Sequence, residues 1–185
     1  RRGFHLGVRV RPEQGLLKLR KELNLFANLR PILAFDAILH LSPLKESRIK
    51  GSDFVIYREL KGGIYFGDKK EDSGDGIASD LMIYRREEIT RIARLAFEAA
   101  KKRRVKVTLV DKANVLASSR LWRKVVQEIA TDYPGVSLDF LFVDNAAMQS
   151  ILRPSQVDVI LTSIMFGYII SDEASVSIVS LGLSA

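Results

Sequence analysis

A possible ligand-binding face lies near the start of the chain, where Glu13, Leu16, Leu17 and Arg20 recur at helical spacing. Residues three and four apart share one side of a helix, so this face would carry an apolar patch that ends in a guanidinium group. Because arginine binds carboxylates through paired hydrogen bonds, the face could hold a molecule with an alkyl group beside a carboxylate. The alternative is a helix that packs on its leucines and leaves Arg20 in solvent.

Two further arginines, Arg30 and Arg58, stand at or beside apolar runs, in "NLRP" and "YREL". An arginine that is drawn into the interior of a protein needs an anion. Either a bound ligand or a structural carboxylate such as Glu59 could supply that anion. These residues alone do not decide between the two alternatives.

Lys112 directly follows an apolar run that ends in Asp111. A lysine at the end of a strand and beside a carboxylate could act as a base if its pKa were depressed. The alternative is a surface lysine, with Asn114 capping the helix that follows.

Asp144 and Asp172 are hard oxygen donors, which suit Mg²⁺ or Mn²⁺. Asp172 stands four residues after Tyr168 in "FGYIISDEAS", so the two would share one face of a helix. Two carboxylates at this spacing would suit a metal, but the first position here holds a phenol. The pattern is compatible with a damaged metal site, or with a core helix that carries an acid at its edge. Isolated aspartates are also common as helix caps.

Alternating strands and helices must position these residues, and the alternation predicts an α/β domain. Apolar periodicity predicts helices over 12–26, 86–103, 117–131 and 145–152. Compact apolar runs predict strands over 53–60, 62–67, 105–111, 136–144 and 157–162. The polar segment 68–76 is expected to be an exposed loop or the tip of an arm. Sites in open α/β sheets form at the carboxyl ends of strands, where Asp111 and Asp144 are expected.

Composition excludes several classes of function. The chain has 185 residues, a formal net charge of +7 and no cysteine, so disulfides, thiolate zinc sites and cysteine nucleophiles are excluded. This composition is compatible with a cytoplasmic protein. No apolar run approaches the roughly 18 residues of a membrane helix, and no membrane partner is expected. Much of the positive charge lies in residues 1–11 rather than on a folded face with aromatics, so no nucleic-acid partner is expected.

Several long segments together resemble the 3-isopropylmalate dehydrogenase family. The matching segments are "RPEQGLLKLRKELNLFANLRP", "SPLKE", "VIYRELKGGIYFG", "DKANVLASSRLWRKVVQEIA", "VDNAAMQ" and "FGYIISDEAS". The resemblance implies an NAD-dependent β-decarboxylating dehydrogenase of leucine biosynthesis that requires Mg²⁺ or Mn²⁺. Its substrate would be (2R,3S)-3-isopropylmalate and its product 4-methyl-2-oxopentanoate.

The resemblance also implies a three-layer α/β fold. Residues 11–185 would form mainly the central substrate-binding and dimerisation domain, after an atypical basic segment over 1–10. Most of the nucleotide domain would be absent, because members of the family extend beyond both ends of this sequence. "GDGIAS" (74–79) is not a GxGxxG fingerprint, although this family would not use one.

The resemblance assigns the substrate contacts residue by residue. The arginines that hold the malate carboxylates are matched by Arg20, Arg30 and Arg58. The helix face that receives the isopropyl group and shapes the nicotinamide end is matched by Glu13, Leu16 and Leu17. Glu13 would therefore also approach NAD, while the rest of the NAD site would be absent from this chain. Asn114 and Val115 would line the same pocket as Lys112.

The resemblance assigns the reacting groups as well. Lys112 matches the lysine that assists removal of the hydroxyl proton, and Tyr84 matches the tyrosine that helps to protonate the enol. Asp144 and Asp172 match aspartates that bind the metal. Tyr168 stands where the family has a further aspartate, and a neutral phenol should weaken the metal site.

The family implication for assembly is a homodimer. Residues 62–84 would form an intersubunit arm, and Lys112 and Asp144 would reach into the site of the partner subunit. On these grounds we expect the chain alone to be inactive. The alternative is a catalytically dead dimerisation or interaction module derived from that enzyme.

Overall fold

A computed structural model describes residues 15, 19, 22, 23 and 25–178. The segment over 1–10 lies outside the described residues, as do Glu13, Leu16, Leu17 and Arg20 of the candidate site. The helix predicted over 12–26 also falls largely outside them. Within it, Gly15, Leu19 and Glu22 are helical.

A five-stranded sheet forms the centre of the described fold. The described residues include seven strands, five of which form this sheet. The strands are β1 (Ala27–Leu33), β2 (Asp53–Glu59), β3 (Lys69–Lys70), β4 (Ser79–Asp80), β5 (Lys106–Asp111), β6 (Ser137–Phe142) and β7 (Val159–Thr162). The sheet has the order β1-β2-β7-β5-β6, while β3 and β4 pair separately as a short antiparallel ribbon. β1 runs antiparallel to β2, and β2, β7, β5 and β6 are mutually parallel.

In the described part of the chain, five α-helices alternate with these strands. They are α1 (Glu46–Ile49), α2 (Arg86–Lys101), α3 (Ala117–Ala130), α4 (Val143–Leu152) and α5 (Ile164–Ile178). Two short 3-10 helices cover Asp36–Leu41 and Pro154–Gln156. No helix among the described residues is long and apolar enough to cross a membrane.

The helices pack on the sheet as two outer layers, because alternate side chains of each strand point to opposite faces. Val55, Val107 and Leu109 face α2 and α3 and share a core with Ile92 and Trp122. We call this the α2–α3 layer. The opposite face, which we call the α4–α5 layer, packs Ile32, Phe54, Ile56 and Ile160 against Ile170 and Ala174. The three-layer α/β fold is therefore confirmed.

Most predicted elements are confirmed, with three differences. The strand predicted over 62–67 is wrong: these residues form turns, and Gly63 has a φ of 81°. The sequence patterns do not predict β1, since Pro31 argues against a strand, yet β1 is an edge strand, where a missing N–H is tolerated. The strand predicted over 136–144 ends at Phe142, since Val143 and Asp144 already belong to α4.

Candidate functional site

The parallel strands bring their carboxyl ends to one edge of the sheet. Arg58 of β2 is paired with Thr162 of β7, and Val110 of β5 is paired with the same threonine. Asp111 at the end of β5 is paired with Phe142 at the end of β6. Residues at or just after these positions therefore line one edge, which is where sites in open α/β folds are found.

Arg58 is buried at this edge and joins three elements of the fold. Its Nε donates to Asn28 Oδ1 of β1 at 2.8 Å, and its Nη2 donates to the same oxygen. Its Nη1 donates to Ser171 Oγ of α5 at 2.9 Å. Glu59, the alternative structural partner, points to the opposite face of the strand and accepts a hydrogen bond from Arg91 instead.

Tyr168 covers the guanidinium group of Arg58, with 4.4 Å between Cζ and the centre of the phenol ring. This is a cation–π contact, in which the ring face attracts the positive charge. The preceding residue, Gly167, leaves room for the arginine: a Cβ there would lie 2.5 Å from Cγ and Cδ of Arg58. The phenol at position 168 is thus part of a packed arginine cluster.

Arg30 is the second arginine that the structure brings to this face. It lies on the same side of β1 as Asn28, diagonally across from Arg58, and diagonal neighbours in a sheet are about 7–8 Å apart. Its Nε is buried, with no hydrogen-bond acceptor among the described residues. A buried guanidinium nitrogen without an acceptor is suited to binding an anion. The arrangement can therefore hold a carboxylate beside Arg30.

Tyr84, the predicted proton donor, lies inside the α2–α3 layer. Its ring packs edge-on against Trp122 at 5.3 Å, and its hydroxyl accepts a hydrogen bond from the Ile164 N–H at 3.3 Å. Burial raises the pKa of Tyr84 well above its ordinary value. Its ring is on the sheet face opposite the one that carries Arg58. The assignment of Tyr84 as proton donor stays a prediction.

Tyr65 is a candidate that the sequence patterns do not single out. Its side chain is 38% exposed, and its ring lies 5.8 Å from that of Tyr168, beside the Arg58 cluster. An exposed phenol next to the stacked pair of Tyr168 and Arg58 can exchange a proton with a molecule bound there. The glycine turn a few residues after Arg58 is the sequence signal that could have indicated Tyr65. The apolar residues of the same segment predict a strand instead.

Lys112 and Asp144 form a second group at the same edge. Lys112 Nζ lies 2.8 Å from Asp144 Oδ1, and the ammonium group holds the pKa of Asp144 below its ordinary value. Asp111 is not the partner of Lys112, because its buried carboxylate binds Arg123 and the Ala113 N–H. This group follows β5 and β6, so β7 separates it from Arg58 by about 10 Å of sheet.

Asn114 and Val115 are exposed beside Lys112. Asn114 does not cap α3, whose N-cap residue is Leu116, with no side-chain cap. The structural alternative for Asn114 is therefore wrong. A position in an open pocket next to Lys112 remains a prediction for both residues.

The carboxylates of one chain do not fit a Mg²⁺ or Mn²⁺ site. Asp172 is exposed on α5, Asp144 is engaged by Lys112, and Tyr168 supplies no carboxylate. Within the part of the chain that the structure describes, there is no group of three or more Asp, Glu, His or Cys residues that could hold a metal. Hard cations such as Mg²⁺ need several oxygen ligands at once.

Comparison with known proteins gives consistent matches over nearly the whole chain. A family model described as isocitrate/isopropylmalate dehydrogenase matches residues 3–185. The 3-isopropylmalate dehydrogenase of Geobacillus kaustophilus is 54% identical over 177 residues, which cover 94% of this chain and 48% of the relative. The corresponding protein of Streptococcus pneumoniae is 55% identical, with 96% and 51% covered.

Solved structures match the fold as well. Isocitrate dehydrogenase from Methylococcus capsulatus superimposes with a TM-score of 0.81 at 33% identity, covering 98% of this chain and 52% of that one. A β-decarboxylating dehydrogenase from Thermococcus kodakarensis gives a TM-score of 0.71 at 38% identity, with 88% and 44% covered. The chain thus spans about half the length of the relatives that it matches.

Proposed function

Because this chain belongs to the isocitrate/isopropylmalate dehydrogenase family, we propose that it is the substrate-binding part of a 3-isopropylmalate dehydrogenase. The observation that carries the proposal is the identity of 54% to a 3-isopropylmalate dehydrogenase over 94% of this chain. The enzyme would act in the cytoplasm, in leucine biosynthesis, with NAD as the hydride acceptor. Residues 11–185 would form the substrate-binding and dimerisation domain.

In the proposed reaction, hydride passes from C2 of 3-isopropylmalate to NAD while the C2 hydroxyl loses its proton. The bond from C3 to its carboxylate then breaks, CO₂ leaves, and a proton is added to C3 of the enolate. The products are 4-methyl-2-oxopentanoate, CO₂ and NADH. The proton taken from the hydroxyl balances the one added to C3, so the chain needs one group for each transfer.

The side chains of this chain supply these functions at two places on the sheet edge. Arg30 and Arg58, with Arg20 outside the described residues, would bind the substrate carboxylates. Tyr65 is the proton donor that the geometry favours, because it is exposed and its ring lies beside Tyr168, which covers Arg58. Tyr84 is the second candidate. Lys112 would take the hydroxyl proton. β7 lies between Lys112 and Arg58 in the sheet. This separation is explained if Lys112 contributes to the site of a partner subunit.

A homodimer is therefore part of the proposal. Large apolar side chains are exposed on the two helices of the α4–α5 layer, namely Met148, Leu152, Ile169 and Val176. Met148 and Leu152 share one face of their helix, as do Ile169 and Val176, and exposed apolar faces of this kind suit an interaction surface. The arm over 62–84, which contains β3 and β4, would add a second contact.

The metal site is the functional site of the family that this chain preserves least. We propose that Asp172, with Asp144 of a partner copy, retains residual affinity for Mg²⁺ or Mn²⁺. Tyr168 stands where a further carboxylate would serve as an oxygen ligand, so the affinity is lower than a site with that carboxylate would have. No step is assigned to the metal on these residues.

A second candidate function has its own support in the structure. Tyr168 is packed on Arg58, and the α4–α5 layer exposes an apolar surface. Both features suit a dimerisation module that has lost its chemistry. The buried Arg30 Nε and the accessible Tyr65 oppose this candidate, because a module without ligand has no use for them.

A segment exchange distinguishes the two functions. The matched 177 residues of the Geobacillus kaustophilus relative would be replaced by the corresponding residues of this chain. We expect the hybrid to produce NADH from 3-isopropylmalate, slowly with Tyr168 and faster with Tyr168→Asp. If neither hybrid folds into an active enzyme although both form dimers, the dimerisation module is the better description. The isolated chain serves as the control and should produce no NADH.

A further inference from the structure

Glu59, the last residue of β2, is a carboxylate with no solvent exposure. Its Oε1 accepts hydrogen bonds from Arg91 Nη2 at 2.9 Å and from the Lys61 N–H at 3.0 Å. Its Oε2 accepts from the Lys61 N–H at 2.9 Å and from the Gly62 N–H at 2.7 Å. One buried side chain thus holds two consecutive N–H groups of the turn that follows β2.

The turn held by Glu59 leads directly to Tyr65. Gly63, with its φ of 81°, donates its N–H to Ile83 O at 2.7 Å. Beneath the turn lies the buried Tyr84 ring, and a Cβ on Gly62 would be 2.8 Å from it. Lys69 Nζ donates to Ile64 O at 2.7 Å on the other side of the turn. Because the backbone is fixed at each of these points, the position of Tyr65 follows from the position of Lys61 and Gly62.

A buried carboxylate is a costly way to hold a turn. Removing a charged group from water carries a large desolvation penalty, which hydrogen bonds and a partner charge only partly offset. That penalty is visible here, since burial raises the pKa of Glu59 despite its hydrogen bonds to Gly62, Lys61 and Arg91. Packing alone would be served by an apolar side chain of similar volume. The carboxylate therefore has a use beyond filling space.

We propose that Glu59 is a positioning residue for Tyr65: it fixes the turn over 60–64 so that the Tyr65 phenol lies beside Tyr168 and Arg58. The chemical meaning of this position rests on the proposed function, in which Tyr65 donates a proton. Arg91 completes the device, because its guanidinium group binds Oε1 and neutralises the buried charge.

Glutamine is the sharpest substitution for a test. Both oxygens of Glu59 accept from N–H donors, whereas a glutamine has one oxygen and one NH₂ group. In either orientation the NH₂ group faces a donor, either Gly62 N–H or Arg91. We therefore expect Glu59→Gln to displace the turn while leaving side-chain volume almost unchanged.

The position of Tyr65 can be measured without any enzymatic activity. The chain contains five tyrosines, so ¹⁹F NMR of the purified chain labelled with 3-fluorotyrosine should give five resonances. Tyr65→Phe and Tyr133→Phe each remove one resonance and so assign it. We expect Glu59→Gln to shift the Tyr65 resonance by more than its linewidth and to leave the Tyr133 resonance unchanged, since Tyr133 stacks on Phe97 in the α2–α3 layer.

Two further variants keep the test decisive. Arg91→Gln leaves the backbone hydrogen bonds of Glu59 in place and should shift the Tyr65 resonance less; it carries the test if Glu59→Gln does not fold. Glu128→Gln breaks an exposed ion pair with Arg86 and should shift neither resonance. An unmoved Tyr65 resonance in folded Glu59→Gln, or in folded Arg91→Gln when Glu59→Gln does not fold, overturns the proposal. If instead the resonance moves but Tyr65→Phe leaves the hybrid enzyme fully active, the proposed proton donor fails and the positioning device stands.

Discussion

The contact between Tyr168 and Arg58 decides how the residues of the candidate site can be used. The guanidinium group is buried, hydrogen-bonded to Asn28 and Ser171, and covered by the phenol ring. A cation–π contact of this kind contributes about 0.5–2 kcal/mol, depending on how far the cation is desolvated. The ring therefore helps to fix Arg58, while the position that shares a helix face with Asp172 holds no carboxylate.

Tyr168→Asp should raise the affinity of the chain for Mn²⁺ in the presence of 3-isopropylmalate. The added carboxylate shares a helix face with Asp172, and hard cations prefer such oxygen ligands. We expect a gain of about tenfold or more, the range that single groups around a metal site command. Titration calorimetry measures the gain, and Tyr168→Phe, which keeps the ring, should show none. Equal affinities in all three proteins would favour the dimerisation module.

The ion pair between Lys112 and Asp144 predicts a pH dependence. Lys112 lowers the pKa of Asp144 from its ordinary value of 3.8. A carboxyl group whose pKa is depressed in the folded state stabilises the fold above its ordinary pKa, and this stabilisation is lost as pH falls through the folded-state value. The stabilisation that Asp144 contributes through this pair should therefore be lost in acid.

Lys112→Met should return the Asp144 pKa upward toward its ordinary value. The carboxyl ¹³C resonance of Asp144, followed through an NMR titration, measures this change. Lys124→Met removes a different exposed lysine and serves as the control, with no expected change at Asp144. A high salt concentration should reduce the difference between wild type and Lys112→Met, because the pair is exposed. An Asp144 pKa that is the same in Lys112→Met as in wild type would contradict the assigned cause.

At the scale of elements, α5 can approach β2 closely only because position 167 has no side chain. Gly167→Ala adds a Cβ 2.5 Å from Cγ and Cδ of Arg58 and 3.1 Å from Thr162 Cγ2. Alanine would favour the helix by about 1 kcal/mol, but Arg58 is held on two sides and cannot move away freely. The cost of overpacking, about 1–3 kcal/mol, should exceed this gain, so that the variant is less stable than wild type.

Urea denaturation of Gly167→Ala measures that loss. The matched control is Gly135→Ala, because a Cβ at Gly135 has no heavy atom within 4 Å and the glycine does not have a positive φ. Its stability should stay within about 0.5 kcal/mol of wild type. Should Gly167→Ala be as stable as Gly135→Ala, α5 is not seated on Arg58 as described.

Periodicity predicts the helices and parallel strands well because each buries one apolar face. The apolar stripe of α2, with Ile89, Ile92 and Ala96 fully buried, is a signal that local sequence carries alone. β1 is not predicted in this way, because a segment that contains Pro31 can form a strand only at the edge of a sheet, where the missing N–H is tolerated. The position of a strand within a sheet depends on the topology of the whole fold, and the sequence of the strand alone does not determine it.

The site is predictable only in parts for the same reason. Strand ends point to Lys112 and Asp144, which do meet, whereas Tyr65 is missed because the apolar residues of its turn predict a strand. The partners of Arg58 cannot be foreseen, since Asn28 and Ser171 lie 30 and 113 residues away in the chain. Contacts over such separations are fixed by the tertiary fold.

At the scale of the whole molecule, the proposed dimer makes the α4–α5 layer an interface. The double substitution Met148→Lys and Ile169→Lys places two charges in the exposed apolar surface of that layer. Burying unpaired charges at an interface is strongly unfavourable. We expect the chain to sediment as a dimer and the double variant as a folded monomer.

The control for this experiment lies on the opposite layer. Leu95 is 40% exposed on α2, and Leu95→Lys should leave the dimer intact. Analytical ultracentrifugation of the three proteins at the same concentrations compares them directly. A wild-type monomer, or a double variant that still dimerises, would remove the α4–α5 layer from the proposed interface.

The phenol over Arg58 also has a genetic consequence. Tyrosine and aspartate codons differ only in their first base, so a single transversion at codon 168 exchanges a stacked ring for a carboxylate. In a leucine-requiring bacterium that depends on a complete enzyme containing this segment, growth without leucine would select for that base change. Recurrent Tyr168→Asp revertants among the fastest-growing colonies would indicate that this chain stands one mutation away from full activity.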